Sequence, residues 1–168
     1  MAEQVRRGDD GAPERFQAMM RAADWDPRVS EPIVALLRAD SRVTGALDRS
    51  VAGAGLTLPK FNVLMELAEA PGGQLPLHQI RRILVKSAPN ITSLTDRLGA
   101  EGLLRRRRDS ADRRVVMAQI TERGWKKLEG ATPSLLAAER RLVHGLSATD
   151  RRTLASLLQR VATVVQED

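Results

Sequence analysis

The sequence contains no cysteine and no tyrosine, and its aromatic residues are only Phe16, Trp25, Phe61 and Trp125. Without cysteine there can be no disulfide, thiolate metal site, cysteine nucleophile or thiol redox switch. With so few aromatic rings the core must be built from Leu, Val, Ile and Ala, which suits packed helices better than a β-sandwich. No stretch approaches the run of about 18 apolar residues that a membrane span needs. The opening MAEQVRRGDDGAP lacks the apolar centre of a signal peptide, so a cytoplasmic protein with no membrane partner is expected. His78 and His144 stand alone, without metal-ligand spacing, and there is no P-loop or G-x-G-x-x-G stretch. Catalytic residues, metals and cofactors are therefore not expected, and the chain does not read as an enzyme.

What is present is positive charge, unevenly placed. The 168 residues carry a formal net charge of +6. Between Arg81 and Arg114 lie ten basic and four acidic residues, a surplus of six, so this one stretch accounts for the whole net charge. Focused basicity of this kind points to a polyanionic partner.

Hydrophobic periodicity divides the chain. Residues 1–12 read as a flexible tail, and a short helix follows Pro13 with Phe16, Met19 and Met20 on one side. Ser30 is expected to cap a long helix, with Glu31 and Pro32 in its first turn, running to Gly53 and Gly55. Thr57 is expected to cap the next, with Phe61, Leu64, Met65 and Ala68 inward, ending at Pro71-Gly72-Gly73. Leu77, Ile80 and Leu84 mark a short helix. Ser87 then opens another, which Gly102 closes. Leu103-Leu104 leads into four arginines, a polar loop turns the chain over 109–113, and Val115–Ile120 returns with strand alternation. Thr121 caps a long helix that Pro133 should bend or break. Ser147 and Asp150 form a capping-box pattern before a last helix with Leu154, Leu157, Leu158, Val161, Val164 and Val165 on its apolar stripe.

Three helices followed by a basic two-stranded hairpin is the order of a winged helix-turn-helix. The expected class is therefore mainly α with a small β-hairpin wing, flanked by N- and C-terminal helices. The divisions are a tail at 1–12, N-terminal helices at 13–55, a DNA-binding lobe at 56–120 and C-terminal helices at 121–168. At 3.6 residues per turn, the 87–99 helix gathers Ile91, Leu94 and Leu98 on one side. Lys86, Pro89, Asn90, Thr92, Ser93, Asp96 and Arg97 fall on the other. Small polar residues near a helix N-terminus are what a recognition helix offers to base edges. Asn90 is suited to a bidentate contact with adenine, and Thr92 and Ser93 to bases or phosphates. The expected contacts with double-stranded DNA are Lys86, Ser87, Pro89, Asn90, Thr92, Ser93, Arg97, Arg105, Arg107, Arg108, Arg113 and Arg114. Arg105–Arg108 must decorate both faces of a strand, and Arg113 and Arg114 sit where a wing tip meets a minor groove. An alternative is a winged-helix module that docks an acidic protein rather than DNA.

The stretch 56–128 resembles the MarR family of bacterial transcription regulators. The matching pieces are Leu56-Thr57-Leu58-Pro59, Leu94-Thr95-Asp96-Arg97-Leu98, Glu101-Gly102-Leu103-Leu104, the 109–114 loop, and Ile120-Thr121-Glu122-Arg123-Gly124. Ser93 departs from the arginine or bulkier residue often found there, which leaves the base preference open. The resemblance implies an obligate homodimer whose interlocked terminal helices set two wings on the half-sites of a palindrome, acting usually as a repressor. Two full apolar stripes, on the 30–51 and final helices, support dimerisation independently. The resemblance also implies a small phenolic or anionic effector, for which Trp25, Asp40, Phe61 and Met65 are the candidate lining residues. Trp25 and Phe61 read first as ordinary core, and Asp40 first as the partner of an arginine across the dimer.

Overall fold

The computed structural model describes residues 13–84, 91–108 and 112–164. The chain runs α1 (Glu14–Ala22), α2 (Pro27–Ala52), α3 (Leu58–Glu69), a 3₁₀ turn (Pro71–Gly73), β1 (Gln74–Pro76), α4 (Leu77–Leu84), α5 (Ile91–Ala100), β2 (Leu104–Arg108), β3 (Val116–Ile120), α6 (Glu122–Leu142) and α7 (Ala148–Val164). It is mainly α with a small antiparallel sheet, as the sequence predicts. The expected tail at 1–12 and Val165 of the last apolar stripe lie outside the described residues.

Several boundaries differ from expectation, each for a local reason. α2 starts at Pro27 rather than Ser30. The Asp26 carboxylate accepts from the Arg28 backbone N–H at 2.8 Å, and Pro27 takes the first helical position, where its missing N–H costs nothing. Ser30 serves instead as acceptor for Trp25 Nε1 at 2.7 Å, and Pro32 falls inside the helix. Thr57 occupies the N-cap of α3 without a side-chain cap bond. Asp48, on the preceding helix, accepts from the Leu58 N–H at 2.7 Å, a carboxylate where the helix dipole favours one. α6 continues through Pro133. The carbonyl that loses its partner is that of Glu129, and both residues are exposed, so water can satisfy it. Proline's cost is greatest where that carbonyl is buried.

The sheet has three strands in the order β1-β3-β2, not two. β1 is only three residues long and pairs Gln74 with Gln119, Leu75 with Ala118 and Pro76 with Met117. So short a strand leaves no alternation to read. Its position at the sheet edge tolerates Pro76, which has no ladder donor.

The chain divides into two compact units, Met1–Ser41 and Arg42–Asp168. In the second unit Leu64, Leu67, Ile80, Leu98 and Leu103 are fully buried and form the centre of the core. Phe61, Leu104, Ala118, Ile120, Leu128 and Leu135 belong to the same cluster. Glycine is required at two joints. Gly102, at φ 69°, ends α5: its N–H reaches the Gly99 carbonyl and the Leu103 N–H the Leu98 carbonyl, both at 2.9 Å, a Schellman closure. At Gly124 in α6, an added Cβ would lie 2.2 Å from the Leu103 carbonyl oxygen and 2.8 Å from Ile120 Cγ1. That glycine lets α6 lie directly on the start of the wing.

Candidate nucleic-acid interface

α5 turns Ile91 and Leu98 into the core, while Thr92, Asp96 and Arg97 are exposed and Ser93 is half-buried. The expected contact residues Lys86, Ser87, Pro89 and Asn90 lie outside the described residues, as does Asp109 of the wing loop. One buried polar residue was not anticipated: Thr95 is 1% exposed. Its hydroxyl lies 3.0 Å from both the Ile91 and the Thr92 carbonyl oxygens. It also accepts a hydrogen bond from Arg106 Nη2 at 2.7 Å.

The arginine run is sorted by strand alternation. Arg106 points to α5, bonding Thr95 and pairing with Asp96 Oδ1 at 2.6 Å. It is therefore a tie between wing and recognition helix rather than a free cation, and it was absent from the expected contact set. Only the sheet register and the helix beneath it reveal this role. Arg105 and Arg107 lie on the opposite face. Arg105 Nε and Nη2 donate to Gln119 Oε1 at 3.1 and 3.0 Å. Arg107 Nε and Nη2 donate to Gln74 Oε1 at 3.2 and 2.7 Å. Arg108, at the end of β2, is exposed.

Arg113 and Arg114 follow in the wing loop and both are exposed. Arg114 folds back on Asp112: its backbone N–H donates to Oδ1 at 2.9 Å, its Nε to Oδ1 at 3.1 Å and its Nη2 to Oδ2 at 3.2 Å. The guanidinium first, and then the backbone amide, hold the Asp112 carboxyl below its ordinary value.

The candidate effector residues fall in different surroundings. Trp25 is 47% exposed, and Asp40 is exposed in the same first unit. Phe61 is a core residue of the second unit, 2% exposed, and Met65 packs against that core one turn later on α3. Within the second unit, Ala46, Arg49 and Ser50 of α2 and Ala138, Arg141 and Leu142 of α6 line an open groove of about 410 Å³. Sequence reasoning did not single out these residues; two arginines over alanine and leucine carry no motif. Among the described residues no group of three or more His, Asp or Glu side chains could hold a metal ion. No helix among them is long and apolar enough to cross a membrane.

A recognition helix braced by a basic three-stranded wing defines the class: a winged helix-turn-helix DNA-binding protein. A family model described as MarR family matches residues 54–115. The chain is 32% identical over 128 residues to the HTH-type transcriptional regulator MhqR of Bacillus subtilis, covering 76% of this chain and 87% of that one. Among solved structures, Sco3205 of Streptomyces coelicolor, a MarR family transcriptional regulator in complex with DNA, superposes with a TM-score of 0.78. Its identity is 22%, over 84% of this chain and 90% of that one. The transcriptional repressor CouR, bound to a 23-mer DNA duplex, gives a TM-score of 0.68 at 32% identity, over 76% and 89% of the two chains. The chain belongs to the MarR family of transcriptional regulators.

Proposed function

We propose that this regulator is a homodimeric repressor that grips a palindromic operator and is released by a small phenolic or anionic effector. The observation that carries the reading is the tie from Arg106 to Thr95 and Asp96, which joins a basic wing to the recognition helix as one rigid reader. Base choice is assigned to Asn90, Thr92 and Ser93, with Lys86, Ser87, Pro89 and Arg97 as further contacts to the duplex. Arg105, Arg107, Arg108, Arg113 and Arg114 supply sequence-independent grip. Catalysis has no part in this function, and the protein works where the chromosome is, in the cytoplasm.

Dimerisation is supported by α7, which buries no residue. Its Leu154, Leu157, Leu158, Val161 and Val164 are 40–64% exposed, an apolar stripe that a second subunit's terminal helices would cover. Residues 13–55 and 121–168 are accordingly assigned to dimerisation. The effector class is supported by CouR of Rhodococcus jostii, a structure of which holds p-coumaroyl-CoA. Trp25, Asp40, Phe61 and Met65 remain the proposed sensing residues.

The test is a band-shift assay with the duplex upstream of the protein's own gene, over a range of salt, beside size-exclusion chromatography. A retarded, salt-sensitive band and a dimeric mass are expected. Replacing Arg113 and Arg114 by alanine should flatten the slope of log affinity against log salt by about one to two. A protein that binds no duplex and instead captures acidic proteins would overturn the proposal.

A further inference from the structure

We propose that Gln74 and Gln119 are positioning residues for DNA binding, holding Arg105 and Arg107 as a preformed phosphodiester grip on the outer face of the sheet. The inference rests on the DNA-binding reading of this lobe.

The register places Arg105 opposite Gln119 and Gln119 opposite Gln74, one row crossing all three strands. Arg107 lies two residues along β2 and so on the same face. Its guanidinium reaches Gln74 on β1, which takes the side chain across β3. There its register partner Met117 is only 9% exposed despite facing outward. Each arginine sends Nε and one Nη to a single amide oxygen. A guanidinium has five N–H donors, so three on each remain for an incoming phosphate.

The orientation of Gln119 has a second, longer contact behind it. Its Nε2 donates to the Gly72 carbonyl at 3.4 Å, which leaves Oε1 turned to Arg105. Gly72 presents that carbonyl from a left-handed backbone at φ 66°, a conformation that favours glycine. The arrangement thus runs from turn to amide to guanidinium.

The chemistry of the acceptors is the decisive feature. Arg106 and Arg114 are paired with the carboxylates of Asp96 and Asp112, which offset their charge locally. Arg105 and Arg107 are held by neutral amides and keep their full positive charge. A side chain fixed before DNA arrives has less freedom left to lose on binding. A neutral tether therefore orients the cation without cancelling the attraction that phosphate exerts on it, which a carboxylate tether would do.

The experiment titrates a fluorescein-labelled mixed-sequence duplex by anisotropy over a series of KCl concentrations. Gln119→Met and Gln74→Met remove the acceptor and keep the stem. They should weaken binding about two- to tenfold, with an unchanged salt slope and an unchanged melting temperature. Gln74→Glu keeps the fork to Arg107 but cancels the charge, and should lower the salt slope by about 0.9. A tie that serves only the fold would instead be rescued by glutamate. Exchange of the arginine Nε–H with water, measured by NMR on the unaltered protein, needs no variant. It should be slower at Arg105 and Arg107 than at Arg113, and equal rates would overturn the proposal. So would methionine variants that bind like the unaltered protein. If the unaltered protein shows no salt-dependent binding, the DNA reading itself fails. If Arg105→Ala and Arg107→Ala weaken binding while the glutamine variants do not, only the positioning role is lost.

Discussion

Replacing Arg106 with methionine tests whether wing and recognition helix act as one reader. The stem is kept, but the bond to Thr95 Oγ1 and the pair with Asp96 are lost. A hydrogen bond from a charged donor contributes about 1.5–3 kcal/mol when well buried. Here the Arg106 side chain is 37% exposed and that of Asp96 54%, so the ion pair adds at most about 1 kcal/mol and solvent weakens both terms. Thr95 keeps its own carbonyl acceptors on α5, so no buried donor is orphaned. The sum is a loss of about 1–2 kcal/mol. With a urea dependence of about 3 kcal/mol per molar, the midpoint should fall by roughly 0.3–0.7 M at fixed protein concentration. Fixed concentration matters because the proposed dimerisation would add to the apparent stability. DNA binding alone would be ambiguous, since the variant also removes a positive charge. Asp96→Asn resolves this. It adds one unit of net charge and should strengthen attraction to any duplex, yet it loosens the wing and should reduce discrimination between operator and random DNA. If Asp96→Asn keeps full discrimination and Arg106→Met leaves the urea midpoint unmoved, the tie has no role in reading DNA.

Two further outcomes probe the scaffold. Gly124→Ala would set a Cβ 2.2 Å from a backbone carbonyl; because backbone cannot swing aside as a side chain can, a loss of about 3 kcal/mol or more is expected in thermal unfolding. At the start of α7, Ser147 and Asp150 cap each other reciprocally: the Ser147 N–H donates to Asp150 Oδ2 at 3.0 Å and the Asp150 N–H to Ser147 Oγ at 3.1 Å. The Ser147 side-chain hydroxyl, and then its backbone N–H, lower the Asp150 carboxyl from its usual value of 3.8. A depressed carboxylate adds stability above its unfolded value that is lost as pH falls through its folded value. α7 helicity followed by circular dichroism should therefore weaken below about pH 4, and Ser147→Ala should reduce that acid dependence, leaving the share due to the backbone N–H.

Elements whose cause is local were legible in the sequence. The capping box at Ser147 needs only two side chains three residues apart, and Gly102 ends α5 by taking the left-handed conformation that glycine adopts at no steric cost. The helix-then-strand change of period marked the lobe and its hairpin. What stayed hidden depends on contacts remote in sequence or on where solvent lies. Asp48 caps α3 from the preceding helix, so the local reading gave the role to Thr57. Pro133 reads as a break because sequence does not say that Glu129 and Pro133 both lie on an exposed part of α6. β1 is too short to show a period, and with it went the partner that places Gln74 beside Arg107. The same limit explains the largest gap in the expected interface. Four consecutive arginines look equivalent as letters, whereas the sheet register divides them by the acceptor that each one meets. Arg106 meets a carboxylate and braces the recognition helix; Arg105 and Arg107 meet amides and keep their charge for phosphate. The salt dependence of DNA binding should therefore follow which acceptors stand across the strands, and not the number of arginines in the segment.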